Sequence, residues 1–129
     1  MNKLDKDSVI GISALLVHAA KIDEIYSDHE KDLVKDFIKS YLKDEDTNKI
    51  LKKAEEVENS SNQLLKYTNI IKEHSIEIKK DIIEHLWKVI ISDNTVDQYE
   101  SNLMRRICGL IYFSDKECAE IKLKLINRK

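Results

Sequence analysis

Along most of the chain, apolar residues recur at intervals of three and four, which is the period of an amphipathic α-helix. Seven such stretches alternate with short polar breaks, among them "KDEDTNK" and "ENSSNQ". The pattern predicts a first helix from about Asp7 to Ile22, and later helices that begin after Ser27, after Asp46 or Thr47, around Leu64, near Ser75, at Asp97 and after Ser114. Because the connections are short, we expect antiparallel neighbours in one compact all-α bundle over residues 1–129.

The apolar residues of each stretch define the side that we expect to face the core. In the first helix they form one apolar face. Leu64, Leu65, Ile70 and Ile71 indicate the fourth helix. The seventh helix is predicted to present Cys118, Ile121, Leu125 and Ile126. Trp87 lies on the apolar stripe of the fifth helix, which favours a core position over a binding hot spot.

Three of these helix starts have the form of a capping box. Ser27 and Glu30 open the second helix, "SDKE" at 114–117 opens the seventh, and "DQYE" at 97–100 is a close relative of the same motif. In each, the cap oxygen would accept from a backbone N–H, and the Glu would bond back to the N–H of the cap.

The segment before the second helix recurs before the sixth. "KIDEIYSDHEKDLVKDFI" at 21–38 matches "ISDNTVDQYESNLMRRIC" at 91–108, with an offset of 70 residues. The offset aligns Asp23 with Asp93, Ser27 with Asp97 and Glu30 with Glu100. Helix capping and Asx-type bonds explain these residues without a ligand. A cation site explains them equally well, because hard cations need several oxygens at once.

An EF-hand is excluded as the form of such a site. With Asp23 or Asp93 at position 1, position 12 falls on Val34 or Met104, and neither can supply the bidentate carboxylate. A cation such as Ca, Mg, Mn or Zn would therefore need both segments. If the two helix pairs pack with their connecting segments at the same end, the acids converge.

Composition narrows the class of protein. The chain of 129 residues has no Pro and two Gly, which favours helices over turn-rich β structure. Its formal net charge of -2 and its sparse aromatic residues argue against nucleic acid. The start "MNKLDKDSV" has acids where the apolar region of a signal peptide would begin, and "VIGISALLVHAA" is too short to span a bilayer. We therefore expect a cytoplasmic protein without direct membrane insertion.

The residue types that carry catalysis are not grouped in the sequence. Cys108 and Cys118 occupy apolar helical positions and are interpreted as small core residues in a reducing compartment. The four His residues lack a local zinc-ligand spacing, and no nucleophile elbow, phosphate loop or dinucleotide fingerprint is present. The chain is therefore predicted not to be an enzyme. A hydrolase-type site scattered over several helices is the third and least favoured hypothesis.

"AAKIDEIYSDHEKDLV" (19–34) together with "LWKVIISDNTVDQYESNLMRRICGLIYFSDKE" (86–117) resembles the TerB-like family. These are small all-helical proteins associated with tellurite resistance, and related domains accompany J-domains in membrane-linked co-chaperones. The resemblance implies seven helices, a duplicated helix-loop-helix, a role in stress responses and a duplicated acidic loop that binds divalent cations. Carried over by position, the metal residues are Asp23, Glu30, Asp93, Asp97 and Glu100, with Ser27 in an acid-equivalent slot. The family often has Gly after the loop Asp, where this chain has Glu24 and Asn94.

The leading hypothesis is thus a non-enzymatic stress-response module that binds a divalent cation and acts through a protein partner, which could be membrane-associated. The alternative is a protein–protein adaptor whose acidic loops are only helix caps. The observation that best separates these two hypotheses is where the two loops lie relative to each other.

Overall fold

Seven α-helices make up the part of the chain that the computed structural model describes, which is residues 4–21, 26–60, 64–91 and 98–127. They are α1 (Lys6–Ala20), α2 (Asp28–Tyr41), α3 (Thr47–Ser60), α4 (Leu64–Lys72), α5 (Ile76–Ile91), α6 (Gln98–Leu110) and α7 (Asp115–Asn127). The predicted all-α fold with seven helices is confirmed. No helix in these ranges has the length and apolar character that a membrane crossing requires.

Polar side chains cap the starts of several helices, as the sequence predicts. Ser8 N donates to Asp5 Oδ1 at 2.7 Å, Asn48 N to Asp46 Oδ1 at 3.0 Å, and Glu117 N to Ser114 Oγ at 3.3 Å. Each bond satisfies a backbone donor that has no partner within its own helix. The predicted starts are therefore correct to within a residue or two.

The helix α1 occupies the centre of the bundle and contacts α2, α3, α4 and α5. Its buried residues are Val9, Gly11, Ile12, Ser13, Ala14, Leu15, Leu16, Val17, Ala19 and Ala20. The prediction of a single apolar face was therefore too narrow. The small residues of α1 allow neighbouring helices to pack on its other sides as well. At Gly11, an added Cβ would collide with the terminal Cδ1 atom of Ile70, so the missing side chain at position 11 leaves room for this end of Ile70 from α4.

The helices α2 and α5 pack side by side in opposite directions. The hydroxyl of Tyr41 donates to Asp81 Oδ2 at 2.6 Å, and the ring of Phe37 meets His85 edge-on with 5.2 Å between ring centroids. Residue numbers rise along α2 as they fall along α5, which is the antiparallel arrangement. The first residue of α2 and the last residue of α5 therefore lie at the same end of the bundle.

The turn between α6 and α7 is a Schellman motif. Phe113 N donates to Cys108 O at 2.8 Å, and Tyr112 N donates to Gly109 O at 3.4 Å. Tyr112 has φ 59°, the left-handed conformation that Gly usually supplies at this position. Its ring is exposed and lies beside the Lys72 ammonium, 5.1 Å from the ring centroid.

Two local predictions were wrong. The helix α3 continues through Ser60, into the segment read as a break, and Glu58 is buried within it. Ile126 was expected in the core, yet it is 39% exposed. In α4, Tyr67 is buried, whereas Leu65, one of the apolar residues that indicated this helix, is 57% exposed.

Ser13 provides a test of the packing around α1. Its Oγ is buried without a hydrogen-bond partner, so the folded state leaves a desolvated polar group unpaired. We expect Ser13→Ala to raise the free energy of unfolding by about 1 to 2 kcal/mol in urea denaturation. Ser101→Ala, at a half-exposed position of α6, controls for the helix propensity of Ala. Equal gains from both variants would contradict the burial argument.

Tyr112 provides a test of the α6–α7 turn. A non-Gly residue in the left-handed conformation costs roughly 1 kcal/mol or more. Tyr112→Gly should therefore raise the midpoint of urea unfolding, with a gain of about 1 kcal/mol. Tyr112→Ala removes the same ring contact with Lys72 but retains the Cβ, and it should give no gain.

Candidate functional site

The acids predicted to bind a cation are only partly described by the structure. Asp23, Asp93 and Asp97 lie outside the described residues, and so does the side chain of Glu100, whose backbone belongs to α6. Among the residues that are described, no group of three or more His, Cys, Asp or Glu side chains could hold a metal ion. Glu30 is therefore the one predicted ligand whose side chain the structure describes.

Glu30 closes a complete capping box at the start of α2. The backbone N–H of Ser27 donates to Glu30 Oε1 at 2.9 Å, and the N–H of Glu30 donates to Ser27 Oγ at 3.1 Å. The Ser27 hydroxyl also donates to Glu30 Oε1 at 3.1 Å. The predicted capping box is confirmed, and one carboxylate oxygen of the buried Glu30 is already committed to two donors.

Tyr26 precedes the cap and packs on the first turn of the helix that follows. Its ring lies 5.1 Å from the Lys31 ammonium, measured to the centroid. These two positions are those of a hydrophobic staple, in which the residue before the cap meets the fourth helical residue. A cation–π contact takes the place of the usual apolar pair and fixes the entry of the chain into α2.

The first acidic segment, residues 22–25, contains Asp23. The described residues on either side of it, Lys21 and Tyr26, are both bonded to α3. On the near side, Lys21 Nζ lies 2.8 Å from Glu58 Oε1, and His18 Nδ1 lies 3.4 Å from Glu58 Oε2. On the far side, the hydroxyl of Tyr26 donates to Glu55 Oε2 at 2.7 Å. Burial and this bond raise the pKa of Tyr26 well above its usual range, so the phenol remains a donor. Lys21 and Tyr26 thus contact α3 at two positions that are one helical turn apart, Glu58 and Glu55.

Positive charge lies around Lys21 and Tyr26, the described residues that flank this segment in the sequence. A shallow surface pocket of about 360 Å³ is lined by Lys21, Tyr26, Lys31, Lys52, Glu55, Glu56 and Asn59. Three of these seven residues are lysines, and two are glutamates.

The network that joins α2 to α5 was not predicted from the sequence. Asp81 accepts from Tyr41, and His85 Nδ1 lies 2.8 Å from the backbone oxygen of Asp81. Burial and the bond to Asp81 raise the pKa of Tyr41 beyond its usual range. The spacing of Asp81 and His85 places them one helical turn apart on α5. The sequence around them does not identify Tyr41, 40 residues earlier in the chain, as the partner of Asp81.

Cys108 and Cys118 are buried, as predicted. The neighbouring Cys118 thiol and burial raise the pKa of Cys108. Trp87 Nε1 donates to the sulfur of Cys118 at 3.3 Å and to its backbone oxygen at 3.1 Å. The core position of Trp87 is therefore confirmed. Its polar contact with Cys118 depends on the packing of α5 against α7, so the sequence around Trp87 could not predict it.

A comparison with protein-family models identifies one described as tellurite resistance protein TerB, which matches residues 10–123. The match includes both acidic segments, residues 22–25 and 92–97. It also includes all or most of each of the seven helices. No curated protein and no solved structure matched the chain.

Glu58 provides a test of how firmly α3 holds the first segment. Its carboxylate is 9% exposed and contacts Lys21 and His18, so Glu58→Gln replaces charge-assisted bonds by weaker neutral ones. We expect a loss of about 2 kcal/mol in the free energy of unfolding. Glu56→Gln, an exposed change on the same helix, should stay within about 0.5 kcal/mol of wild type. Indistinguishable variants would show that the buried ion pair contributes little.

Proposed function

The chain belongs to the TerB family, and from this premise we propose that it is a non-enzymatic stress-response module that binds a divalent cation through its two acidic segments. The bound form would act through a protein partner. Tellurite-related or other metalloid stress is the condition that the family name suggests for this role. Nucleic acid is not proposed as a partner, because the net charge of -2 offers no attraction to phosphates.

The antiparallel pairing of α2 and α5 is the observation that carries this proposal. The first acidic segment leads directly into α2 and the second follows directly from α5. Since the pairs Tyr41–Asp81 and Phe37–His85 bring those two helix termini to one end, the flanking segments are tethered at the same end. Convergence of carboxylates from two segments is the condition that a hard-cation site needs.

The capping geometry separates the proposed ligands into two groups. Glu30 has one oxygen bound to Ser27, so it is a weak candidate for direct coordination. By the repeat, Glu100 would have the corresponding role at the start of α6. Asp23, Asp93 and Asp97 therefore form the proposed ligand core. An all-oxygen set of this kind favours Ca²⁺, Mg²⁺ or Mn²⁺ over Zn²⁺.

The second candidate function is a protein–protein adaptor whose acidic segments are structural. The complete capping box of Ser27 and Glu30 favours it, because capping accounts for two repeated positions without any ligand. The lysines beside the first segment favour it as well. The two functions differ in one measurable property, which is whether a cation stabilises the fold.

Cation titration of the full chain is the test of the proposed function. Calorimetry with Ca²⁺, Mg²⁺ and Mn²⁺, each paired with thermal unfolding, should give binding heat and a higher melting temperature. At a free cation concentration about a hundredfold above Kd, linkage predicts roughly 2.7 kcal/mol of added stability. The double variant Asp23→Asn with Asp93→Asn should lose both effects, because it removes one carboxylate from each segment.

The control is a second double variant, Asp32→Asn with Asp36→Asn, which makes the same charge change at exposed positions of α2. It should keep the cation response. An unchanged melting temperature and no heat at millimolar cation in wild type would remove the cation proposal and leave the adaptor. Asp97→Ala separates capping from coordination, because a lost cap alone costs about 1 kcal/mol and leaves the cation response intact.

A further inference from the structure

A small cavity lies where α5, α6 and α7 meet. Its volume is about 190 Å³, and the buried residues that line it are Trp87 from α5, Met104 from α6 and Cys118 from α7. These three residues form the floor of the cavity. Each is at most 6% exposed, so the floor is apolar and shielded from bulk water. The space between packed helices is a common place for a small-molecule site.

The strong hydrogen-bond donor of the floor is already used within the protein. Trp87 Nε1 donates to the backbone oxygen of Cys118 at 3.1 Å and to its sulfur at 3.3 Å. The indole ring is therefore held in place and offers an apolar surface to the cavity. An engineered apolar cavity of roughly 150 Å³ binds benzene, so this space can accept a body of that size. The sulfur atoms of Met104 and Cys118 suit an aromatic body, because sulfur–aromatic contacts are favourable.

The rim of the cavity is polar and carries a positive net charge. It consists of the other lining residues, which are Ser101 and Arg105 from α6 and Asp115, Ala119 and Lys122 from α7. One Arg and one Lys against one Asp give a formal charge of +1. Ser101 and Arg105 lie one turn apart on α6, and the three residues of α7 are spaced by four and three positions, so each group shares one helix face.

Neither cation of the rim has a carboxylate partner within the described ranges, where no ion pair of 4 Å or less includes Arg105 or Lys122. The Lys122 ammonium lies instead beside the Trp87 ring, 5.2 Å from its centroid. Arg105 is exposed, and a planar guanidinium can bind a carboxylate through two N–H groups. A carboxylate above the floor would therefore give both cations the charged partner that the chain does not supply.

We propose that this cavity binds a small monocarboxylate with a flat apolar body, of which benzoate is the simplest example. The body would cover Trp87 and Met104, and the carboxylate would lie at Arg105 and Lys122, with the Ser101 hydroxyl as a further donor. A single negative charge matches the rim, whereas a phosphate with two charges would exceed it. The site lies outside the proposed cation-binding function and uses none of its residues.

The test uses the isotope-labelled full chain and benzoate as the probe. Trp87 is the single Trp of the chain, so its indole N–H gives one resonance in a proton–nitrogen correlation spectrum. Benzoate should shift this resonance and the backbone resonances of Cys118 and Ala119 saturably, with a Kd of roughly 1 mM, as expected for a ligand of few atoms. Benzamide has the same body without the charge, and acetate has the charge without the body. Each should bind about tenfold more weakly or worse.

Two neighbouring arginines supply a matched pair of variants. Arg105→Gln should weaken benzoate binding about tenfold, because it removes one charged partner of the carboxylate. Arg106→Gln makes the same change at an exposed position of α6 that does not line the cavity, and it should bind benzoate as wild type does. Ala119→Leu should abolish binding by filling the space. Because Arg105 and Ala119 are exposed, these variants should keep the wild-type melting temperature.

Several results would overturn the proposal. A wild-type spectrum that benzoate leaves unchanged, even at concentrations well above the expected Kd, would exclude the site. Equal affinity for benzoate and benzamide would show that the rim does not recognise a carboxylate. Equal losses from Arg105→Gln and Arg106→Gln would reduce the effect to general surface charge. The cation titration uses other residues and another probe, so the proposed function and this inference can each fail alone.

Discussion

Burial of α1 on nearly every side is the constraint on which the other helices depend. A helix with one apolar stripe needs one partner surface, but a helix enclosed all round needs several, and α2, α3, α4 and α5 supply them. Small residues of α1, such as Gly11, let these partners approach closely. The helices α2 and α5 both contact α1 and also meet each other. Their antiparallel contact places the first residue of α2 and the last residue of α5 at one end of the bundle.

Polar contacts at the edge of the bundle position the chain near the helix ends, which apolar packing alone does not determine. Apolar contacts are non-directional, so they fix that helices touch but fix poorly how connecting segments lie. The bonds of Glu58 to Lys21 and of Glu55 to Tyr26 are directional and flank residues 22–25 on both sides. Glu30 then sets where α2 begins. The described residues on either side of the first acidic segment are thus held by α3 and by the capping box.

How far the sequence predicts this structure depends on the range of the interaction concerned. Helix starts follow from caps and apolar periodicity, which act within a few residues, and these predictions were correct. Ile126 was misplaced because periodicity locates an apolar stripe but not its rotation against distant helices. Glu58 was misread because its ion pairs join residues 37 or more positions apart. The acidic repeat was visible in the sequence, whereas the relative position of its copies depends on the pairing of α2 with α5.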